Sequence, residues 1–340
     1  MTDILSMTLA EAEAFAVSLG EKPFRGRQLF AQLHKRLAAS FADCTDIPAS
    51  MRQELANRAY ICVPREIRQI SDEFRAKKYL LEFEKDIIIE SVLMTSDYGT
   101  TLCVSSQAGC RMGCTFCASA IGGLVRNLSP GEMLAQVYYA VRESGVPLTN
   151  IVLMGCGEPF DNYDNVVKFL ELVSCTEGMG LGRRNITVST CGIVPRIIDF
   201  GRLRAGYGLA VSLHSADDSL RASMMPVARA YPLADLMAAC DTYCELTHRR
   251  VTYEYALIDG VNDSDADAQA LAKLLRGRLA HVNLIPLNRV AERGLAPSEA
   301  SRAQNFINTL KSSRLEATLR RSLGADIGAA CGQLRAQTLS

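Results

Sequence analysis

The sequence predicts an α/β protein: a small helical region at the N-terminus, a β-hairpin linker, and a large body built on a parallel sheet. Three observations predict it. Residues 8–58 carry apolar positions such as Phe24, Leu29, Phe30 and Leu33 at helical spacing, with few β-branched residues. The runs Tyr79–Phe83 and Ile87–Met94 are β-rich and separated by Glu84, Lys85 and Asp86, which suits a hairpin. From about residue 100, short β-branched runs alternate with longer helical patterns. Strand then helix, repeated, implies parallel strands joined by right-handed crossovers, either doubly wound or barrel-like.

The strands of that body are expected at Leu102–Ser105, Ile151–Met154, Ile186–Ser189, Gly208–Leu213, Val251–Leu257, Val282–Ile285 and Leu315–Leu319. The helices between them are expected at Pro130–Ser144, Asn162–Val173, Leu233–Leu246, Ala266–Leu275 and Ser298–Ser312. The chain then divides into a helical domain over 1–60, a linker over 61–98 and the main body over 99–340. In a barrel, functional residues belong on the loops that follow the strands.

At 340 residues, with 48% hydrophobic and 22% charged positions, the chain can bury a large core, which excludes disordered and fibrous classes. The N-terminus carries acids early, and no segment approaches the roughly 20 apolar residues of a membrane span, so a cytoplasmic protein is expected. Twelve cysteines in such a chain point to metal or redox chemistry, with the remainder buried. Zero net charge argues against a broad electrostatic grip on nucleic acid and leaves local patches. Lys22, Arg25, Arg27, Lys35 and Arg36 form one candidate patch; Lys311, Arg314, Arg320, Arg321 and Arg335 form another. Such charge runs are usually just solvated faces.

Spacing decides which cysteines carry chemistry. Just after the first strand of the body, Cys110, Cys114 and Cys117 stand with three and then two residues between them. Three thiolates on one loop can hold three corners of a 4Fe–4S cluster and leave the fourth iron open, whereas an electron-transfer cluster wants four cysteines. A structural zinc site would also close with a fourth Cys or His, and the neighbouring sequence offers none. An open iron is what a radical S-adenosylmethionine (SAM) enzyme needs, because the amine and carboxylate of the methionine chelate it. Phe116 before the last cysteine and the strand before the loop fit that chemistry.

Other strand ends carry candidate cofactor contacts. Gly157 and Glu158 follow the second strand, where glycine allows close backbone approach and an acid can accept from an ammonium. Ser189, then Ser212, Leu213 and His214, end the next two strands, and Asn288 follows the sixth; alone, these read equally as capping serines and a satisfied core histidine. Cys44, Cys62, Cys156, Cys175 and Cys191 read as small buried or loop residues. Cys240, Cys244 and His248 share one helical face, but three ligands along one helix cannot close a tetrahedron.

Taken together, the segments Gly99–Ala118, Met154–Glu158, Arg126–Leu128, Ser212–Ser215, Asn283–Asn288 and Ala329–Leu334 resemble the RlmN/Cfr family of radical SAM RNA methyltransferases. The resemblance runs from Phe24–Gln28 to the C-terminal Cys331–Leu334. It implies a partial (β/α)6 barrel, an N-terminal domain that helps grip RNA, and SAM contacts from Gly157, Glu158, Ser189, Ser212, Leu213, His214 and Asn288. It also implies two functional cysteines outside the cluster, Cys331 and Cys103. In the family scheme one SAM methylates Cys331, and a second is cleaved to a radical that takes hydrogen from that methyl group. The methylene radical adds to an adenine carbon, and attack by Cys103 releases the product and leaves a Cys103–Cys331 disulfide, to be reduced by thiol exchange. Glu90 or Cys103 takes the ring proton. The implied partners are 23S rRNA, tRNA and an electron donor such as flavodoxin or ferredoxin, and the implied state is a monomer.

Residues 117–128 look more like the RlmN side, which methylates adenine C2, than the Cfr side, which methylates C8 and confers antibiotic resistance. Two other classes make distinct predictions. An iron–sulfur redox or sensor protein would leave Cys103 and Cys331 without a purpose and would not cleave SAM. A radical SAM activase would make a glycyl radical on a protein partner and no RNA product.

Overall fold

The helices begin where the sequence offers caps. Helix α1 (Leu9–Ser18) starts on Thr8, whose side chain accepts from Glu11 N while Glu11 answers on Thr8 N, a reciprocal capping box. It crosses α2 (Pro23–His34) closely enough that a Cβ on Gly26 would stand 2.4 Å from the Ala12 carbonyl oxygen, so only glycine fits there. Helix α3 (Ala49–Arg58) completes the helical region, and the short strands β1 (Thr2–Asp3) and β2 (Ala59–Tyr60) pair in parallel across its two ends. The structure is a computed structural model and describes residues 1–73, 75–320 and 324–334. Arg321 and Arg335, expected in the C-terminal basic patch, lie outside the described residues.

Next come β3 (Arg65–Ser71), β4 (Ala76–Glu84), β5 (Ile87–Ser96) and β6 (Gly99–Cys103), each antiparallel to the one before it. The expected hairpin is present as β4 and β5, but it is more than a linker. It hydrogen-bonds through β6 into the main sheet and adds β3 as an edge. Strand β3 reads REIRQIS, too charged to announce itself; its exposed, polar composition suits an edge strand.

A two-stranded hairpin, β7 (Gln107–Gly109) and β8 (Leu124–Asn127), carries the cysteine loop between its strands. The body then alternates as expected: α4 (Pro130–Ser144), β9 (Asn150–Leu153), α5 (Tyr163–Ser174), β10 (Ile186–Thr190), α6 (Val194–Arg202) and β11 (Gly208–Ser212). It continues through α7 (Asp218–Met224), α8 (Leu233–Thr247), β12 (Val251–Leu257), α9 (Asp265–Leu275), β13 (Ala280–Pro286), α10 (Ala300–Ser312) and β14 (Glu316–Leu319). Helices α6 and α7, absent from the sequence reading, are only 9 and 7 residues long, too short to display a period.

The ten-stranded sheet runs β14-β13-β12-β11-β10-β9-β6-β5-β4-β3. From β6 to β13 six successive strands are parallel, and β14 joins as a seventh. Among the described residues the order keeps two free edges, so the sheet is an open, partial barrel rather than a closed one, as the resemblance implies. A continuous apolar core joins it to α4, α5, α6, α8, α9 and α10 and reaches into α1–α3. The helical region is also tied to the barrel by polar contacts: His34 Nδ1 meets Tyr138 Oη at 2.7 Å, and Gly131 N donates to Ser6 Oγ.

A candidate active site at the strand ends

Parallel strands end together, and their following loops line a cavity. Its wall brings together most of the residues singled out in the sequence: Cys110, Cys114 and Cys117 from the β7–β8 loop, then Gly157, Glu158, Ser189, Ser212, His214, Asn288 and Cys331. Leu213 is the exception. Its side chain is fully buried in the main core, and only its backbone serves the site, donating to Glu254 O and accepting from Arg221.

The cysteine loop is pinned at both ends. Cys110 N donates to Gly123 O, Thr115 N to Met224 O at 2.9 Å, and Ala118 N to Gly332 O at 2.7 Å. Arg293 holds the Cys117 carbonyl, and Arg111 pairs with Asp161. Burial pushes the Cys110 thiol up to about 12 and the Cys114 thiol higher still. A thiolate therefore forms there in exchange for a bound cation. Among the described residues no three His, Cys, Asp or Glu side chains converge on a point suited to one metal ion. A multi-iron cluster, which takes one thiolate per iron, suits three cysteines spaced around a single cavity better than zinc does.

Glycines shape the adjoining wall. A Cβ on Gly155 would stand 2.5 Å from Ser105 Oγ, and Gly157, at φ +105°, would bring one within 2.6 Å of Gln107 Cβ. Glu158 is buried with its carboxylate already occupied, accepting from Phe160 N at 2.9 Å, from Cys191 N at 2.7 Å and from the Thr190 and Cys191 side chains. Burial raises its carboxyl despite these donors. An incoming ammonium would thus meet an acceptor that also braces the β10 loop. His214 combines both readings of the sequence. Its Nδ1 accepts from Ala256 N at 2.9 Å, as a core histidine would, yet its ring stands edge-on to Phe116 in the cavity wall. Burial drops it to about 3, leaving it neutral with Nε2 carrying the proton. Asn288 donates to the Cys331 carbonyl at 3.0 Å.

A second, smaller cavity is shared by Cys103, Cys331, Arg320 and Asn288. Cys331 thus lines both cavities. Cys103 and Cys331 are both free thiols. Burial pushes Cys103 up to about 12, and Arg320 pulls the other way. Arg320, read in the sequence as part of a basic patch, instead turns its guanidinium into the cavity beside Cys331 and Glu254. Its neighbour Glu254 passed unremarked inside an apolar strand, although an acid in such a run was the available signal. It is 4% exposed, accepts from Asn283 at 2.8 Å, and is pushed up to about 7 by burial. Cys191, read as a bland buried residue, lines the main cavity and is bonded to Glu158.

Glu90 lines neither cavity. It is not a surface strand residue: it is fully buried and ion-paired with Lys78 at 2.7 Å. Lys78 also donates to Gly328 O at 2.9 Å, tying the segment that carries Cys331 to the antiparallel strands.

Two family models match the chain. The N-terminal domain of the ribosomal RNA large subunit methyltransferase covers residues 2–61, and the radical SAM superfamily covers residues 104–272. A probable dual-specificity RNA methyltransferase RlmN from Lachnoclostridium phytofermentans is 48% identical over 98% of this chain and 94% of its own length. Its counterpart from Clostridium botulinum is 45% identical over 100% of both chains. The chain belongs to the RlmN family. The crystal structure of a radical SAM methyltransferase from Sphaerobacter thermophilus superposes with a TM-score of 0.96 at 44% identity, covering 99% of this chain and 100% of that one. As an RlmN-family member it is a radical SAM RNA methyltransferase, and the family's chemistry uses a 4Fe–4S cluster and SAM. Among the described residues no helix is long and apolar enough to cross a membrane.

Proposed function

We propose that the enzyme methylates C2 of an adenine in 23S rRNA and in tRNA through an S-methylated Cys331. The observation that carries this reading is the position of Cys331 in the walls of both cavities, one ringed by Cys110, Cys114 and Cys117 and the other holding Cys103. An aromatic C2 carbon is not nucleophilic, so direct methyl transfer from SAM fails there, and a carbon carried on the protein answers the difficulty. The cluster and SAM, when bound, supply a one-electron cleavage strong enough to take hydrogen from an unactivated methyl group.

The chain's own residues do the rest. Cys110, Cys114 and Cys117 hold the cluster; Gly157, Glu158, Ser189, Ser212, Leu213, His214 and Asn288 bind SAM, with Glu158 and Leu213 acting largely through the backbone they brace. Cys331 takes a methyl group from a first SAM, and a second activates it, so two SAM molecules serve each methyl transferred. Its methylene carbon bonds to C2. The ring adduct would lose a proton to Cys103 and return an electron to the bound cluster. Cys103 then attacks the Cys331 sulfur, the S–C bond breaks with its electron pair on the methylene carbon, which takes up a proton to become the methyl group, and a disulfide remains for thiol exchange. Cys103 is favoured over Glu90 as proton acceptor because the Glu90 carboxylate already faces the Lys78 ammonium. The reading includes the division at 1–60, 61–98 and 99–340, a monomer in the cytoplasm, and a flavodoxin or ferredoxin as electron donor.

The test is anaerobic. The cluster is reconstituted, and reductant, methyl-labelled SAM and either 23S rRNA or tRNA are added. The labelled nucleoside is then identified by mass spectrometry. Label in 2-methyladenosine supports the proposal, 8-methyladenosine replaces it with the C8 reading, and deoxyadenosine without labelled RNA removes the substrate assignment.

A further inference from the structure

Arg221 on α7 is fully buried, a costly place for a charge that carbonyls alone cannot neutralise. Its Nε donates to Leu213 O at 3.2 Å, and its Nη2 to Cys191 O at 2.8 Å and Ser212 O at 3.2 Å. Its Nη1 is buried with no partner. Among the described residues no carboxylate stands within ion-pair distance of it. Gly192, at φ +110°, makes room: a Cβ there would stand 3.1 Å from Nη2.

The helix that carries this cation packs its end on the cysteine loop. Burial works against its charge, and Cys191, Cys114 and then Asp218 on its own helix offset that in part. Met224 and Met225, the residues that follow it, pack with Met112, Cys114 and Phe116, and Met224 O holds Thr115 N. We infer that Arg221 is the fixed counter-cation of the cluster loop, a positioning residue that makes the cluster easier to reduce. Three thiolates on a doubly positive cluster leave one negative charge, and uptake of an electron from a low-potential one-electron carrier leaves two. A buried, unneutralised guanidinium favours the second state over the first, and local charge is one of the levers that set such potentials. The carbonyl bonds alone are a structural role; the charge is the additional one.

The inference rests on the reading that Cys110, Cys114 and Cys117 hold the cluster; a parent protein that takes up no iron would remove that reading first. The test is the midpoint potential of the reconstituted full chain, followed by electron paramagnetic resonance with and without SAM. Arg221→Met is expected to weaken reduction at least tenfold, about 59 mV for a one-electron couple. Arg221→Lys should stay near the parent. Asp218→Asn removes an acid on the same helix that offsets the charge of Arg221, keeps its shape, and should shift the potential upward by a smaller amount. An Arg221→Met protein with parental iron content and parental potential would overturn the inference. So would a normal potential without SAM combined with weakened SAM binding, which would assign Arg221 to the methionine carboxylate. If Arg221→Met fails to fold, an unmoved potential in Asp218→Asn overturns it.

Discussion

The cluster loop and the Cys103–Cys331 pair are built in opposite ways. Cys110, Cys114 and Cys117 share one short loop between β7 and β8, braced from α7 and from the Gly332 backbone. Cys103 and Cys331 come from the start and the end of the barrel and meet only because β6 carries one while a C-terminal segment returns the other. That segment packs Ala329 and Leu334 on Ala76, Val92 and Cys103, so the antiparallel strands, not the barrel helices, form its seat. A local motif tolerates change elsewhere, whereas a tertiary pair depends on whatever holds the segment down.

The largest expected effect follows directly. Cys114→Ala should lose the bound iron and with it all methylation, while Cys331→Ala should keep parental iron content and still methylate no RNA. Iron analysis beside labelled-nucleoside counting reads both. Loss of iron in Cys331→Ala would erase the distinction between the two regions.

The same distinction explains what the sequence made legible. Three cysteines within eight positions are readable without a fold, and the barrel strands were readable because β-branched runs alternate with helical ones. Glu254, Arg221 and Lys78 were not, because each takes its meaning from a partner on another strand or loop: Arg320, the cysteine loop and Glu90. Arg320 was misplaced for the same reason. A basic residue after a strand looks like surface until its guanidinium is found beside Cys331 and Glu254. Strand β3 was lost to its charge, and α6 and α7 to their length.

On the side of the pair, the Lys78–Glu90 ion pair is the next place to break the comparison. Lys78→Met leaves Glu90 buried without its cation, and loss of one partner of a buried pair costs about 3–5 kcal/mol. Urea unfolding should register that loss, and Lys78→Met with Glu90→Leu should recover part of it. Equal stability in the single and double variants would mean that Lys78 acts only by holding Gly328.

Away from both regions, His34 sets a pH limit. Burial drops it to about 3 from an ordinary value of 6.5. The unfolded chain binds its proton more readily than the folded one. Its stabilising contribution is therefore full above about pH 6.5 and is lost as pH falls from there toward 3, at about 1.4 kcal/mol per pH unit. His34→Gln, which keeps a partner for Tyr138, should flatten the acid limb of a stability–pH profile. An unchanged limb would assign the acid sensitivity to other groups such as His214, which burial depresses to the same value.

The smallest effect probes the seat of Cys331 most directly. Ser119, buried at the end of the cluster loop, donates its hydroxyl to Leu334 O, and Ala118 N donates to Gly332 O, so the loop and the C-terminal segment are clasped on either side of Cys331. Ser119→Ala removes one clasp and leaves a buried carbonyl without its donor, a loss of about 1 kcal/mol. Spent on local opening rather than global unfolding, that amount raises the open population about fivefold. Alkylation of Cys331 by iodoacetamide, located by peptide mass spectrometry, should accelerate by that factor while Cys44, buried in the N-terminal core, stays unreacted. Acceleration at Cys331 with iron content unchanged would show that the clasp serves the pair and not the cluster. A matching loss of iron would mean that the two regions share one fastening, and the contrast between a local motif and a tertiary pair would then hold for sequence but not for stability.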